Sequence, residues 1–260
     1  MCLIFFAWQR HADYRLVVAA NRDEFYARAT APAGYWEEAP QVLAGRDLEA
    51  GGTWLGVSRG GRFAALTNFR GGEARTGEVP SRGHLVSDYL RSQHAAEDYL
   101  MSLVPRAAAY NGFNLLVGDR EQLYWFSNRA GEPVRLDAGI YAISNHLLDT
   151  PWPKVVRGKA AFAELLQVKR TDREAMFDLL ADRQLAGDAD LPDTGIGLAR
   201  ERALSPMFIR AGDYGTRSST VLLVENAGHT TLHERTHEPG TAGTDTLTYT
   251  YPVEPDREAV

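Results

Sequence analysis

The residue with the clearest chemistry in this chain is Cys2, the only cysteine, which directly follows Met1. Methionine aminopeptidases remove Met1 when the second residue is small, and removal would leave a thiol and a free α-amine on one residue. Their ordinary pKa values, about 8.5 and about 8, lie near neutral pH, so the amine can take the thiol proton directly or through one water. Cys2 is therefore a candidate terminal nucleophile. The alternative is a chance cysteine at the start of a strand, packed as a small hydrophobe.

Polar clusters at the ends of predicted strands supply the other candidate groups. They are residues 21–24 (Asn-Arg-Asp-Glu), 67–70 (Thr-Asn-Phe-Arg), 144–146 (Ser-Asn-His) and 215–219 (Gly-Thr-Arg-Ser-Ser). Each cluster alone has a structural explanation, because Asn and Asp hydrogen-bond turning backbone and Arg–Asp pairs are common on surfaces. Together with a cysteine that opens the first strand, they predict groups converging on one sheet edge.

The histidines near the end of the chain suggest a weaker alternative. His229, His233 and His237 recur every four residues, a spacing that can hold a metal or haem iron. The residues between them are typical of an edge strand that runs into a polar tail. We therefore predict no metal site.

Composition restricts the class of protein. The chain has 260 residues, of which 44% are hydrophobic and 24% charged, as in ordinary globular proteins. A net charge of −6 argues against a nucleic-acid partner, and a single cysteine excludes an internal disulfide and fits a cytoplasmic location. We find neither a signal peptide nor an apolar run long enough for an integral membrane segment. The oligomeric state stays open.

The elements that must position the candidates follow from hydrophobic patterning. We predict strands at 2–8, 15–20, 113–117, 123–127, 140–145, 207–210, 219–225 and 230–235, and a hairpin over 51–68. Helices are predicted behind an N-cap at Ser81, over 95–103 and 155–167, and over 171–182 with Thr171 as cap; residues 186–197 form a polar loop. Strands that are apolar on both faces predict sheets covered from two sides.

This order of elements predicts one α+β domain over residues 1–260. Its architecture is a four-layer αββα sandwich of two stacked, mainly antiparallel sheets flanked by helices. The tail from about residue 239 is rich in Thr, Gly and Pro, and we expect it to pack loosely.

The motifs, taken in order, resemble those of the NRDE family, the homologues of transport and Golgi organisation protein 2. The resemblance is carried by residues 21–24, 45–47 (Gly-Arg-Asp), 51–56 (Gly-Gly-Thr-Trp-Leu-Gly), 66–70, 143–145 and 217–220. It spans nearly the whole chain. The family is similar to the N-terminal-nucleophile hydrolases, and its closest mechanistic relatives resemble cysteine amidases such as bile-salt hydrolases and penicillin V acylases.

The resemblance implies a role for each candidate. Cys2 would be the nucleophile with its α-amine as base, Asp23 would hold the amine, and Arg22 would favour the thiolate. Asn68 and Asn145 resemble asparagines that donate to the oxyanion and orient the amine. Roles for two further residues follow the same comparison: Arg217 resembles a distal supporting arginine, whereas Glu24 has no counterpart.

Two functions are therefore predicted. The first is hydrolysis or acyl transfer at a C–N amide or thioester bond through Cys2, with no cofactor and an unknown substrate. The second is a non-catalytic carrier on the same fold, trafficking haem or binding acyl-CoA or lipid. No haem-attachment motif is present in the sequence, so haem would bind non-covalently. In both cases the partner is a small or hydrophobic ligand.

Overall fold

The computed structural model describes residues 2–72, 79–168, 171–238 and 245–254. Its strands form two antiparallel seven-stranded sheets. Sheet A contains β1 (Cys2–Trp8), β2 (Tyr14–Phe25), β10 (Gly139–Ile143), β11 (Arg210–Ala211), β12 (Tyr214–Glu225), β13 (His229–Thr236) and β14 (Thr246–Pro252). Their order is β10-β1-β2-β12-β13-β14, and β11 pairs with β12.

Sheet B is a meander in chain order. It contains β3 (Thr30–Trp36), β4 (Ala39–Asp47), β5 (Leu55–Ser58), β6 (Phe63–Asn68), β7 (Phe113–Gly118), β8 (Leu123–Ser127) and β9 (Val134–Arg135). Each strand pairs with its neighbour in sequence, and the long connection between β6 and β7 contains the helices that cover this sheet.

Helices cover the outer face of each sheet. Leu85 and Tyr89 of α1 (Gly83–Arg91) pack with α2 (Ala96–Leu103) on sheet B. The outer face of sheet A packs instead against α3 (Pro153–Leu165) and α4 (Arg173–Leu180). A third apolar cluster fills the space between the sheets. The predicted αββα sandwich is thus confirmed.

The continuous apolar run of β1 follows from this layering. Leu3 and Phe5 face the helices α3 and α4, whereas Ile4 and Phe6 face sheet B. Alternate side chains of a strand point to opposite faces, so a strand buried on both sides needs apolar residues throughout.

The tail prediction is wrong for the described residues 245–254. Thr246–Pro252 forms β14, which pairs with β13 along its length. Tyr249 donates a hydrogen bond to the carbonyl of Ala33 at 2.9 Å, and Tyr251 donates to the carbonyl of Ser58 at 3.2 Å. Because both acceptors belong to sheet B, the last strand ties the two sheets together.

Sequence patterns also missed β3 and β4. Pro32 and Gly34 interrupt the expected alternation in β3, and its pairing with β4 contains register shifts. Such irregular edge strands carry little periodic signal. Strand β2 continues through residues 21–25 and β12 begins at Tyr214, so both strands are longer than predicted.

Helix ends differ from the prediction by a few residues. Ser81 does not cap α1, whose N-cap position is Arg82 without a side-chain bond. Asp172 rather than Thr171 caps α4, by accepting a hydrogen bond from the backbone N–H of Glu174. Further differences are 3₁₀ turns at Val104–Ala109 and Asp188–Asp190, a missed helix α5 (Leu198–Ala203), and a strand at Arg210–Ala211 where 207–210 was expected. Within the described ranges, no helix is both long and apolar enough to cross a membrane.

Candidate active site

Cys2 lies at the first position of β1, between β2 and β10 in the interior of sheet A. Its side chain is 7% exposed and reaches the floor of a cleft of about 680 Å³. The cleft opens at the edge where the ends of β2, β6 and β12 meet. Because Cys2 is the first residue of its strand, the sheet fixes its backbone while the side chain can contact a ligand in the cleft.

Antiparallel pairing brings the predicted clusters to this edge. Cys2 pairs with Arg22, and Arg22 pairs in turn with Ser218. Asp23 pairs with Thr216, and a register shift between Thr216 and Ser218 leaves Arg217 as the extra residue. The four predicted residues Cys2, Arg22, Asp23 and Arg217 all line the cleft.

The pleat of β2 separates the roles of Arg22 and Asp23. Arg22 continues the face of Val18 and Ala20 toward sheet B, whereas Asp23 continues the face of Val17 and Ala19 toward the helices. Consecutive residues of a strand point to opposite faces. The cation therefore lies on the cleft side of Cys2 and the carboxylate on its helix side.

Burial controls the electrostatics around the thiol. It raises the pKa of Cys2, and the charge of Asp23 raises it further, whereas Arg22 and a hydrogen bond from the backbone N–H of Asp23 lower it. The pKa of Asp23 is itself raised by burial, although its carboxylate accepts a hydrogen bond from Thr216 at 2.7 Å. The positive N-terminus and Arg22 therefore offset only part of the desolvation of the thiolate, and the pKa of Cys2 is raised overall.

Asn21 belongs to the same motif but has a structural role. Its side-chain amide donates to the carbonyls of Leu180 at 2.8 Å and Met207 at 2.9 Å. Its oxygen accepts a hydrogen bond from Ser219 at 2.6 Å. It thereby fastens the end of α4 to sheet A, below the cleft.

The two predicted asparagines lie in contact but face different surroundings. Asn68 ends β6 and lines the cleft, and none of the described residues hydrogen-bonds its side-chain amide. Asn145 is fully buried and donates from Nδ2 to the carbonyl of Asn68 at 2.9 Å, while its own carbonyl accepts from the N–H of Arg70 at 2.6 Å. Asn145 is outside the cleft lining, so it fixes Asn68 rather than facing the cleft.

Arg217 holds the wall of the cleft. Its Nη1 donates to the carbonyls of Phe25, Tyr26 and Arg28 at 2.8 to 3.1 Å. These carbonyls form the turn between β2 and β3. Arg217 thus holds this turn in place, and its role as a supporting arginine of the site stays a prediction.

A buried ionic cluster behind Cys2 was not predicted. Arg70 and Glu201 pair at 2.6 Å with 6% and 2% of their side chains exposed, and the guanidinium lies 4.9 Å from the Trp152 ring centre. Lys154 is 2% exposed and donates to the carbonyl of Leu204 at 2.9 Å. Burial lowers the pKa of Lys154 to about 8, against the opposing effect of Asp23.

Arg82 is the functional candidate that sequence reasoning missed on the cleft side. The N-terminus of α1 is placed by Gly52, where a Cβ would lie 2.5 Å from the carbonyl carbon of Gly83. Arg82 therefore reaches the cleft, where burial lowers its pKa. No signal in the sequence marks it, because the approach joins segments far apart in the chain.

The three histidines do not form a metal site. His233 is buried on β13 and hydrogen-bonds Thr248 at 2.9 Å, and His237 hydrogen-bonds Ser219 at 2.9 Å. His229 is exposed at the other end of the strand. Among the described residues, no group of His, Cys, Asp or Glu is arranged to hold a metal.

The sandwich, with a cysteine at the start of a central strand, defines a fold of the N-terminal-nucleophile hydrolase class. A penicillin V acylase from Agrobacterium tumefaciens has a TM-score of 0.53 and 11% identity, covering 95% of this chain and 85% of its own. The C2A mutant of conjugated bile acid hydrolase from Clostridium perfringens also has a TM-score of 0.53, with 10% identity and full coverage of both chains. At these identities the likeness establishes the fold alone.

The chain itself belongs to the Transport and Golgi organisation 2 family, whose model matches residues 1–239. A Bos taurus Transport and Golgi organization protein 2 homolog is 39% identical over 259 residues, covering 90% of this chain and 92% of that protein. The Mus musculus homolog is 35% identical and covers 98% of this chain and 100% of its own. The family resemblance read from the motifs is therefore confirmed.

Proposed function

We propose that the protein is a cysteine hydrolase or acyltransferase that cleaves a C–N amide or a thioester bond after removal of Met1. One observation carries the proposal: Cys2 of sheet A and Asn68 of sheet B line the same cleft, and none of the described residues hydrogen-bonds the side-chain amide of Asn68. A nucleophile and an oxyanion donor on rigid strands are the two parts that acyl transfer requires.

The chemistry would proceed in two steps. The α-amine of Cys2 takes the thiol proton as Sγ attacks the carbonyl carbon, and Asn68 donates to the oxygen that becomes negative. The C–N bond breaks, and the leaving amine takes the proton. Water then attacks the thioester, the C–S bond breaks, and the thiol is restored.

The other predicted residues have supporting roles in this scheme. Asp23 lies on the helix side of Cys2, where it can hold the ammonium formed in the first step. Asn145 positions Asn68 through its backbone, and Arg217 holds the turn that forms the wall. We place Arg22 at the ligand side of the thiol.

The test combines intact mass with acyl trapping. We expect the mass to show loss of Met1, and an activated acyl ester or acyl amide to leave one acyl group on the Cys2 peptide. Cys2→Ala should abolish the adduct, and Cys2→Ser should slow its formation by several orders of magnitude because an alcohol ionises far less readily. Equal acylation of Cys2→Ala would refute the proposal.

The carrier alternative makes a different prediction. No described histidine lines the cleft, so haem iron bound there would depend on the Cys2 thiolate. Haem titration should then show a Soret shift that disappears in Cys2→Ala. Tight stoichiometric haem with no adduct from any acyl donor would favour the carrier.

A further inference from the structure

The arginines of the cleft wall differ in how their charges are used. Arg28 pairs with Asp47 at 2.8 Å and with Glu49 at 3.1 Å, and Arg46 pairs with Glu38 at 2.6 Å. Arg217 donates to backbone carbonyls, as described above. The chain itself therefore engages these cations.

Arg22 and Arg82 are different. Arg22 is 9% exposed and lines the cleft, yet none of the described residues offers it a hydrogen-bond acceptor or a carboxylate at ion-pair distance. Arg82 donates one hydrogen bond, from Nη1 to the carbonyl of Gly112 at 2.9 Å. It also has no carboxylate partner among the described residues. Acidic residues also line the cleft, but none of those described is at ion-pair distance from either arginine. Glu234 accepts from the N–H of Ala33 at 2.6 Å and is near enough for Arg22 to lower its pKa, which burial raises, and Glu24 accepts from the N–H of Phe25 at 2.9 Å.

An unpaired guanidinium in a buried position has a large desolvation cost unless a ligand supplies the counter-charge. Each guanidinium carries five N–H donors in a planar fork that matches a carboxylate or phosphate. Both arginines lie in the same cleft as Cys2, so their open donors and the thiol face one ligand.

We propose that Arg22 and Arg82 form an anion subsite beside Cys2, and that the acyl donor carries a carboxylate or phosphate close to the scissile carbonyl. This inference rests on the proposed function for its substrate, but the subsite itself can be measured without turnover. Arg82 would then contribute to the choice of ligand. It precedes helix α1 on sheet B, whereas the nucleophile belongs to sheet A.

The first experiment compares alkylation of Cys2 by iodoacetate and by iodoacetamide, which differ in charge and react at the same carbon. Relative to a free cysteine peptide, we expect the protein to favour iodoacetate about tenfold. Arg82→Gln should remove most of that preference. Arg200→Gln, which removes the same charge from the exposed surface of α5, should leave it unchanged.

The second experiment uses Cys2→Ala, so that it does not depend on thiol reactivity. At constant ionic strength, N-acetylglycine or phenyl phosphate should raise the melting temperature, whereas neutral N-acetylglycinamide should not. Whichever anion acts at lower concentration identifies carboxylate or phosphate as the group recognised. Arg82→Gln should weaken the effect about tenfold in concentration.

The outcomes separate the subsite from the proposed function. Stabilisation by an anion without any acyl adduct would support the subsite and refute the hydrolase. Adducts formed equally well from neutral and anionic donors, or a melting shift that Arg82→Gln leaves unchanged, would overturn the subsite and leave the hydrolase standing.

Discussion

The charged side chains on the two sides of Cys2 differ in whether the chain itself supplies their partners. On the helix side, Arg70 pairs with Glu201, and Lys154 donates to a backbone carbonyl. On the cleft side, Arg22 and Arg82 have no carboxylate partner among the described residues, and Arg82 donates one hydrogen bond. The charge of Arg70 is thus paired within the chain, whereas those of Arg22 and Arg82 are available to a ligand. The contrast predicts that substitutions on the helix side cost stability and those on the cleft side cost binding.

The largest effect is expected from breaking the buried ion pair. Glu201→Leu removes the carboxylate that pairs with the buried Arg70, so the free energy of unfolding should fall by about 3–5 kcal/mol. Urea denaturation measures it, and Asp188→Asn, which breaks the exposed pair with Arg202, should change little. Arg70→Met combined with Glu201→Leu should recover much of the loss. Equal effects of Glu201→Leu and Asp188→Asn would contradict the prediction that the buried ion pair contributes more to stability than the exposed one.

Lys154 should make stability depend on alkaline pH. Its pKa is about 8 in the fold against 10.5 ordinarily, so between these values the unfolded chain binds a proton that the folded chain has released. The unfolding free energy of the wild type should therefore rise by about 3 kcal/mol relative to Lys154→Met between about pH 8 and 10.5. Urea denaturation of both proteins across this range provides the measurement. Parallel pH curves would show that folding does not lower the pKa of Lys154.

An effect of similar size is expected in acid. Burial, together with Arg173 and Arg235, lowers the pKa of His233 to about 4 from 6.5. The folded protein keeps His233 neutral while the unfolded chain protonates it, so stability is lost as the pH falls from 6.5 to 4. His233→Gln should reduce that loss by about 3 kcal/mol. Thermal melts of this variant and of the exposed control His229→Gln check the prediction, which fails if the two behave alike.

The smallest effect on stability is expected in the cleft. Arg22→Met removes a buried charge without breaking an ion pair, so the unfolding free energy should stay the same or rise by about 1 kcal/mol. Alkylation of Cys2 by iodoacetate should slow, because the substitution also removes a charge that lowers the thiol pKa. A loss of stability comparable to that of Glu201→Leu would show that Arg22 stabilises the fold and is not held for a ligand.

Sequence reasoning reached the part of the site that local patterns encode. The doubly buried run of β1 indicated a central strand, and the polar residues that break the runs of β2 and β6 marked Arg22, Asp23 and Asn68. Antiparallel pairing brings Cys2, Arg22 and Asp23 to one edge of sheet A, and the stacking of the two sheets brings Asn68 of sheet B to the same cleft. The catalytic roles of these residues stay predictions.

The rest depends on contacts between distant segments. Lys154 sits in a helix whose stripe gives no hint of a buried cation, and Glu201 lies in a helix just beyond a predicted polar loop. Arg82 reaches the cleft only because Gly52 lets α1 approach. The irregular edge strand β3 and the late strand β14 have too little periodicity to stand out.

The position of Cys2 has a consequence during synthesis. Its strand β1 pairs with β10, which ends at Ile143, and with β2, whose other partner β12 ends at Glu225. At about 5–20 residues per second, the ribosome needs roughly 10–45 s to deliver that last strand. Until then the start of the chain is open to a peptidase, and afterwards sheet A encloses Cys2. Removal of Met1, which the proposed function requires, therefore competes kinetically with the completion of sheet A.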